Sequence, residues 1–141
     1  MITSSFSSGR IVRAGLLGIL LAVVLNVALY YLFVALGYLD RTFIVNPESG
    51  QPVTAGAVAG ATALPLLLAT GLFWLLARFT RRPVLIFGSI VGVFLLGSLM
   101  GPFSIPNVPQ EMAIALNVMH VVAAGVIFLA LRRSVPVENQ R

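Results

Sequence analysis

The chain has no cysteine, one histidine, and charged residues at only 9% of its positions. Without cysteine there is no disulfide, no thiolate nucleophile and no thiolate metal site, and nothing about the redox compartment can be read. A single histidine falls well short of the ligand set that a metal or a catalytic site requires. Soluble domains carry about 25% charged residues, so this low share excludes an ordinary water-soluble globule. The few charges are also kept apart from four stretches: residues 14–39, 54–77, 84–104 and 112–131 contain no Asp, Glu, Lys or Arg.

What fills those stretches is apolar. Hydrophobic residues make up 59% of the 141 positions, and the mean hydropathy is +1.03. A helix needs roughly 20 mostly apolar residues to cross a hydrocarbon core of about 30 Å, and each stretch supplies them. The fold class expected is therefore all-α: a polytopic membrane protein whose four transmembrane helices form an antiparallel bundle over residues 10–133. Tails at 1–9 and 134–141 flank it. So much of the chain lies in lipid that no soluble catalytic domain fits beside it.

The formal net charge of +5 raises the question of nucleic acid, but the placement of the arginines answers it otherwise. Arg10 and Arg13 precede the first span, Arg78, Arg81 and Arg82 lie between the second and third, and Arg132, Arg133 and Arg141 follow the fourth. Only Arg41 falls on the opposite side, together with Asp40, Glu48 and Glu111. The positive-inside rule then places both termini in the cytoplasm, with the lipid bilayer as the first partner and no nucleic acid. The N-terminal pattern of arginines before an apolar run is that of a signal peptide, but secretory h-regions span about 7 to 15 residues, so the first helix is expected to be retained.

Between the spans, the loop at 40–53 joins a β-favouring Thr42-Phe43-Ile44-Val45 run to the turn formers Asn46-Pro47-Glu48-Ser49-Gly50, the pattern of a short hairpin. The loop "RFTRRP" is tight, which makes the second and third helices antiparallel neighbours. In "GPFSIPNVPQE", Pro102, Pro106 and Pro109 argue against helix and for an extended path. Trp74, Phe79 and Tyr38 at span edges read as an aromatic belt, with Arg78 snorkelling beside them.

Helices in lipid associate through close packing of small residues and through hydrogen bonds, so stripes of such residues mark inward faces. The first helix carries Gly15, Gly18, Ala22, Asn26, Tyr30 and Gly37 in such a stripe, and the second carries Gly56, Gly60 and Ala63. The third offers two pairs at the same spacing of four, Gly88 with Gly92 and Gly97 with Gly101. In the fourth the stripe is Ala113, Asn117, His120 and Ala124, which predicts that His120 faces protein rather than lipid. GxxxG spacing serves either the internal packing or a homodimer seam.

Pro65 removes a backbone donor inside the second helix and leaves the Ala61 carbonyl in need of another. Counted at 1.5 Å per residue, Ala61, Thr62 and His120 lie roughly 10 to 12 Å deep, with Asn117 shallower and Asn26 deeper. The candidate site is thus a polar cluster of Asn26, Thr62, Pro65, Asn117 and His120, in which an asparagine or histidine donor reaches the Ala61 carbonyl. Two roles fit it: neutral hydrogen-bonded glue between helices, or a pathway or pocket for a proton, a quinone-like ligand or a lipid group. A bis-histidine haem would need a symmetric dimer or a partner subunit, and no cofactor is expected.

An Asn within helix one, "TALPLLLA" in helix two and "VMHVVAAG" in helix four together resemble a family of small bacterial integral membrane proteins catalogued only as a domain of unknown function. The resemblance covers residues 10–133. It implies a four-helix membrane protein without an assigned activity, with Asn26, Thr62, Pro65 and His120 in its core. The function expected is that of a non-enzymatic membrane protein, either an accessory subunit of a membrane complex or a self-associating homo-oligomer. The alternative is a small transporter or ligand-binding protein built around His120.

Overall fold

The structure, a computed structural model, describes residues 7–46 and 50–135. Its elements are α1 (Ser8–Ala35), β1 (Ile44–Asn46), β2 (Gln51–Pro52), α2 (Ala55–Phe79), α3 (Pro83–Phe103) and α4 (Gln110–Arg132). All four helices are long and apolar enough to cross a membrane, so the chain is an all-α, multi-pass membrane protein with one small hairpin.

Each helix boundary has a local cause. α1 begins at Ser8, inside the stretch expected to be a tail, and takes in Arg10 and Arg13. Their long side chains can leave the helix toward water, so charge does not end it. At its other end Gly37 adopts φ 75, and Tyr38 N–H donates to the Phe33 carbonyl while Gly37 N–H donates to that of Val34. These two bonds close a Schellman motif, which requires the left-handed conformation glycine tolerates. α2 opens on Thr54, whose hydroxyl accepts from Ala57 N–H at 3.1 Å.

Proline behaves differently from the expectation at one position. Pro102 lies within the last turn of α3, where its fixed φ is helical and it removes only one backbone bond. Pro106 and Pro109 stay outside helices, yet residues 104–108 form turns rather than an extended path, with Asn107 at φ 57. The expected hairpin is present: Ile44 pairs with Pro52 and Asn46 with Gln51, antiparallel. The turn residues Pro47, Glu48 and Ser49 lie outside the described residues, as do 1–6 and 136–141. The second tail begins with buried residues, because Ser134 caps the Leu131 carbonyl and Val135 joins the core.

Side-chain contacts fix the directions of the helices. Gly15 of α1 lies so close to Thr70 of α2 that an added Cβ would overlap its side chain, while Gly18 lies against Ala130 and Ile127 of α4. Nearer the far end of α1, Asn26 meets Thr62 and Met119, so α1 runs antiparallel to both α2 and α4. Phe87 of α3 packs edge-on against Phe73 of α2, centroids 5.0 Å apart, and stacks with Phe128 of α4 at 6.4 Å.

Two apolar cores result. One, at the end carrying most arginines, gathers Ile11, Phe73, Ala77, Val84, Phe87, Ile127 and Leu131. The other lies under the hairpin and gathers Tyr30, Leu39, Val53, Val58, Met112 and Met119. α3 contributes to the first and not to the second. Only 11% of its apolar window is buried, against 22% for α1 and 28% for α2 and α4, so α3 is the loosely held helix.

Candidate functional site

The five residues of the expected cluster divide into one tight node, Asn26 with Thr62, and three separate positions, Pro65, Asn117 and His120. Asn26 is on the small-residue stripe of α1 and is only 3% exposed. Its Nδ2 donates to Thr62 Oγ1 of α2 at 3.0 Å and to the Met119 carbonyl of α4 at 3.3 Å. One carboxamide thereby ties three helices at one level. In hydrocarbon an unpaired amide costs several kcal/mol, which is why this group must meet partners on its neighbours. Asn26 Oδ1 is buried and has no hydrogen-bond partner among the described residues, so the node retains one unused acceptor.

Asn117 belongs to a different interface. Its Nδ2 donates to the Leu99 carbonyl at 3.1 Å, linking α4 to the outer half of α3, and its Oδ1 is also buried without a partner among the described residues. Pro65 is exposed on the surface of α2, with Ala61 exposed beside it. Both asparagine amides donate elsewhere, so the expected bond from an asparagine to the Ala61 carbonyl does not form.

His120 departs most from expectation. It is exposed, and its Nδ1 lies 2.7 Å from the Leu116 carbonyl one turn back in its own helix. A carbonyl can only accept, so Nδ1 carries the hydrogen and Nε2 is left as the ring's second polar atom. The prediction that the ring is covered by protein is therefore corrected. Of the expected stripe only Ala113 is buried; Asn117 and Ala124 are half-buried and His120 is exposed, while the buried face of α4 also takes in Met112, Ala115, Met119, Ile127 and Leu131.

The glycine stripes are likewise redistributed. Gly15, Gly18 and Gly88 meet neighbouring helices, whereas a Cβ at Gly60, Gly92, Gly97 or Gly101 would meet nothing within 4 Å. At Gly56 it would meet only Thr54 Oγ1, at 3.9 Å in the same helix's cap.

Two further anchors escaped the sequence reading. Tyr30 donates its hydroxyl to the Val53 carbonyl at 3.0 Å, fixing the hairpin to α1. The signal was its place on the Asn26 stripe, but the partner is a backbone atom of a loop. At the tip of that loop Asp40 Oδ1 accepts from both Thr42 Oγ1 and Thr42 N–H at 2.7 Å, and these two bonds hold its carboxyl below the usual carboxylate range. At the span edges, Arg78 covers the Trp74 ring and Arg41 the Tyr31 ring, each at 5.9 Å, in agreement with an interfacial belt.

The chemistry available at the Asn26 node is hydrogen bonding by amide, hydroxyl and carbonyl groups. The ionisable ring of His120 is not part of that node and faces outward. Comparison with curated proteins and with solved structures gives no match. The resemblance seen in the asparagine of helix one, in "TALPLLLA" and in "VMHVVAAG" has a direct counterpart: the model of the family of unknown function DUF6069 matches residues 6–137, nearly the whole chain, and the chain belongs to that family.

Proposed function

We propose that this chain is a non-catalytic membrane subunit that acts by self-association through the exposed glycine faces of α2 and α3. The observation that carries this reading is the open space at Gly60, Gly92, Gly97 and Gly101. Lipid provides no hydrophobic drive between helices, and small residues let two backbones approach closely. Gly15 and Gly18 are consumed by the internal packing, while the α2 and α3 glycines remain presented to the bilayer. A second copy covering α3 would also bury the helix that the single chain leaves most exposed. Cross-linking in native membranes, with light scattering of the purified protein in mild detergent, tests it. A dimer or larger oligomer that Gly60→Leu and Gly97→Leu together dissociate is the expected result. A wild-type monomer at all concentrations overturns it, and a monomer that co-purifies with a different membrane protein replaces it with the accessory-subunit reading.

The setting we propose is a bacterial plasma membrane with both termini cytoplasmic, on the strength of the arginine distribution. Reporter fusions at Asn107 should report the outside and at Arg81 the inside. The reverse pattern would overturn the orientation and leave the self-association reading intact.

A second reading is favoured by His120 itself: an ionisable ring exposed within a helix long and apolar enough to cross a membrane supports a polar intramembrane binding site there. Loss of a bound species in His120→Gln, with folding retained, is the outcome that would raise it above the first.

A further inference from the structure

At the arginine-bearing end of the molecule, α3 and α4 border a shallow, largely open groove of about 520 Å³ lined by Val84, Leu85, Gly88, Ser89, Phe128 and Arg132. Its two ends differ in chemistry. Val84 and Leu85 belong to the first turn of α3, just after Arg81 and Arg82, and Arg132 is the last residue of α4, followed by Arg133. One turn deeper the lining is Gly88, Ser89 and Phe128, and the Ser89 hydroxyl is turned to the Leu85 carbonyl of its own helix. The groove therefore runs from a cluster of guanidinium groups into an apolar slot.

We propose that this groove binds one anionic phospholipid, its phosphodiester held by Arg132 at the rim and one acyl chain laid along Gly88 and Phe128. Charge complementarity selects the headgroup. Arg132 lines the groove, Arg81, Arg82 and Arg133 belong to the same end of the molecule, and the described residues at that end include no carboxylate, since Asp40 and Glu111 are at the opposite end. A guanidinium offers five N–H donors in a planar fork, so Arg132 can hold two phosphate oxygens while serving another partner. Shape selects the chain. At Gly88 an added Cβ would come within 3.1 Å of the Phe128 ring, so the ring lies directly on the glycine and the two present one continuous apolar surface to a chain. Basic recesses between transmembrane helices near the interface are suited to acidic lipid headgroups by the same physics.

The test is native mass spectrometry of the full chain in mild detergent with added phosphatidylglycerol or phosphatidylcholine of matched acyl chains, which share the phosphodiester and differ in whether a quaternary ammonium or a neutral glycerol follows it. Phosphatidylglycerol is expected to be retained at one copy per chain with about fivefold preference, the effect of roughly one basic contact at a membrane surface. Arg132→Gln should remove that preference. Ser89→Trp, which fills the slot without changing charge, should weaken both lipids, whereas Arg10→Gln on α1 should change neither. Equal retention of the two lipids overturns the proposal. So does an equal loss in Arg10→Gln and Arg132→Gln, which would mean diffuse attraction rather than a groove. Inorganic phosphate displacing the lipid at millimolar concentration would show that the chain makes no use of the slot, and overturns it as well.

Discussion

Asn26 of α1 donates to Thr62 Oγ1 of α2 at 3.0 Å, and the same amide nitrogen reaches the Met119 carbonyl of α4 at 3.3 Å. Replacing Asn26 by Leu removes both bonds at once and leaves the Thr62 hydroxyl and a backbone carbonyl without that donor. Interhelical hydrogen bonds in membranes average about 0.6 kcal/mol and reach about 1.7 kcal/mol, so a loss of about 1 to 2 kcal/mol is expected for the pair. Asn117→Leu, which breaks one bond to the loosely held α3, should cost less. Reversible unfolding in mixed detergent and denaturant measures both, and a larger effect at Asn117 would contradict the node.

The glycines separate into two classes that alanine substitution should distinguish. Gly15→Ala forces a methyl group into the Thr70 side chain, and Gly18→Ala brings one within 2.8 Å of Ala130 Cβ. Overpacking of this kind costs about 1 to 3 kcal/mol. Gly60→Ala and Gly92→Ala meet open space and gain helix propensity, so unfolding of the isolated chain should be unchanged or stabilised by up to about 1 kcal/mol. Destabilisation at Gly60 equal to that at Gly15 would mean that the α2 glycine face is packed within one chain.

Why the sequence revealed some of this and not the rest follows from what each signal measures. Helix number and span came through because the bilayer sets a length that an uncharged run must match, whereas Gly37, expected on the inward stripe of the first helix, lies past its end as the left-handed residue of the Schellman turn. The hairpin was readable from Ile44, Val45 and the turn formers that follow. GxxxG spacing records only that two glycines share a face. It carries no information on whether that face meets α4, as Gly88 does, or open space, as Gly97 does. The site was half legible for the same reason: Asn26 and Thr62 meet as a polar pair should, but the third partner is the Met119 carbonyl, which every residue possesses. The stripe through Ala113, Asn117, His120 and Ala124 followed small and polar residues, whereas the buried face of α4 includes Met112, Met119, Ile127 and Leu131, large apolar residues that such a signal passes over.

At the hairpin end, the two bonds from Thr42 to Asp40 Oδ1 stabilise the carboxylate, so Asp40 should titrate below the usual carboxylate range. A folded-state value held below the unfolded one means that the contribution to stability is complete above the unfolded pKa, near 4, and is lost as pH falls through the folded value. Thr42→Val removes the hydroxyl donor and should move the Asp40 titration, followed by NMR of the side-chain carboxyl, up toward the ordinary value. No movement would leave the backbone N–H as the sole cause.

The exposed ring of His120 makes a prediction that separates it from the Asn26 node. Its Nδ1 bond stays within α4, so His120→Leu and His120→Gln should both leave unfolding within about 0.5 kcal/mol of wild type, as substitutions outside a packed core do. Because it is the only histidine of the chain, diethyl pyrocarbonate gives an unambiguous readout of access to the ring. In the folded monomer in detergent, Nε2 should be carbethoxylated at a rate close to that of the unfolded chain, with the imidazole signal absent in His120→Gln. Protection in the folded monomer that disappears on unfolding would restore the ring to the interior. Protection that appears only in the oligomer would instead put the seam between copies across the His120 ring, and would join the two readings of this protein at a single surface.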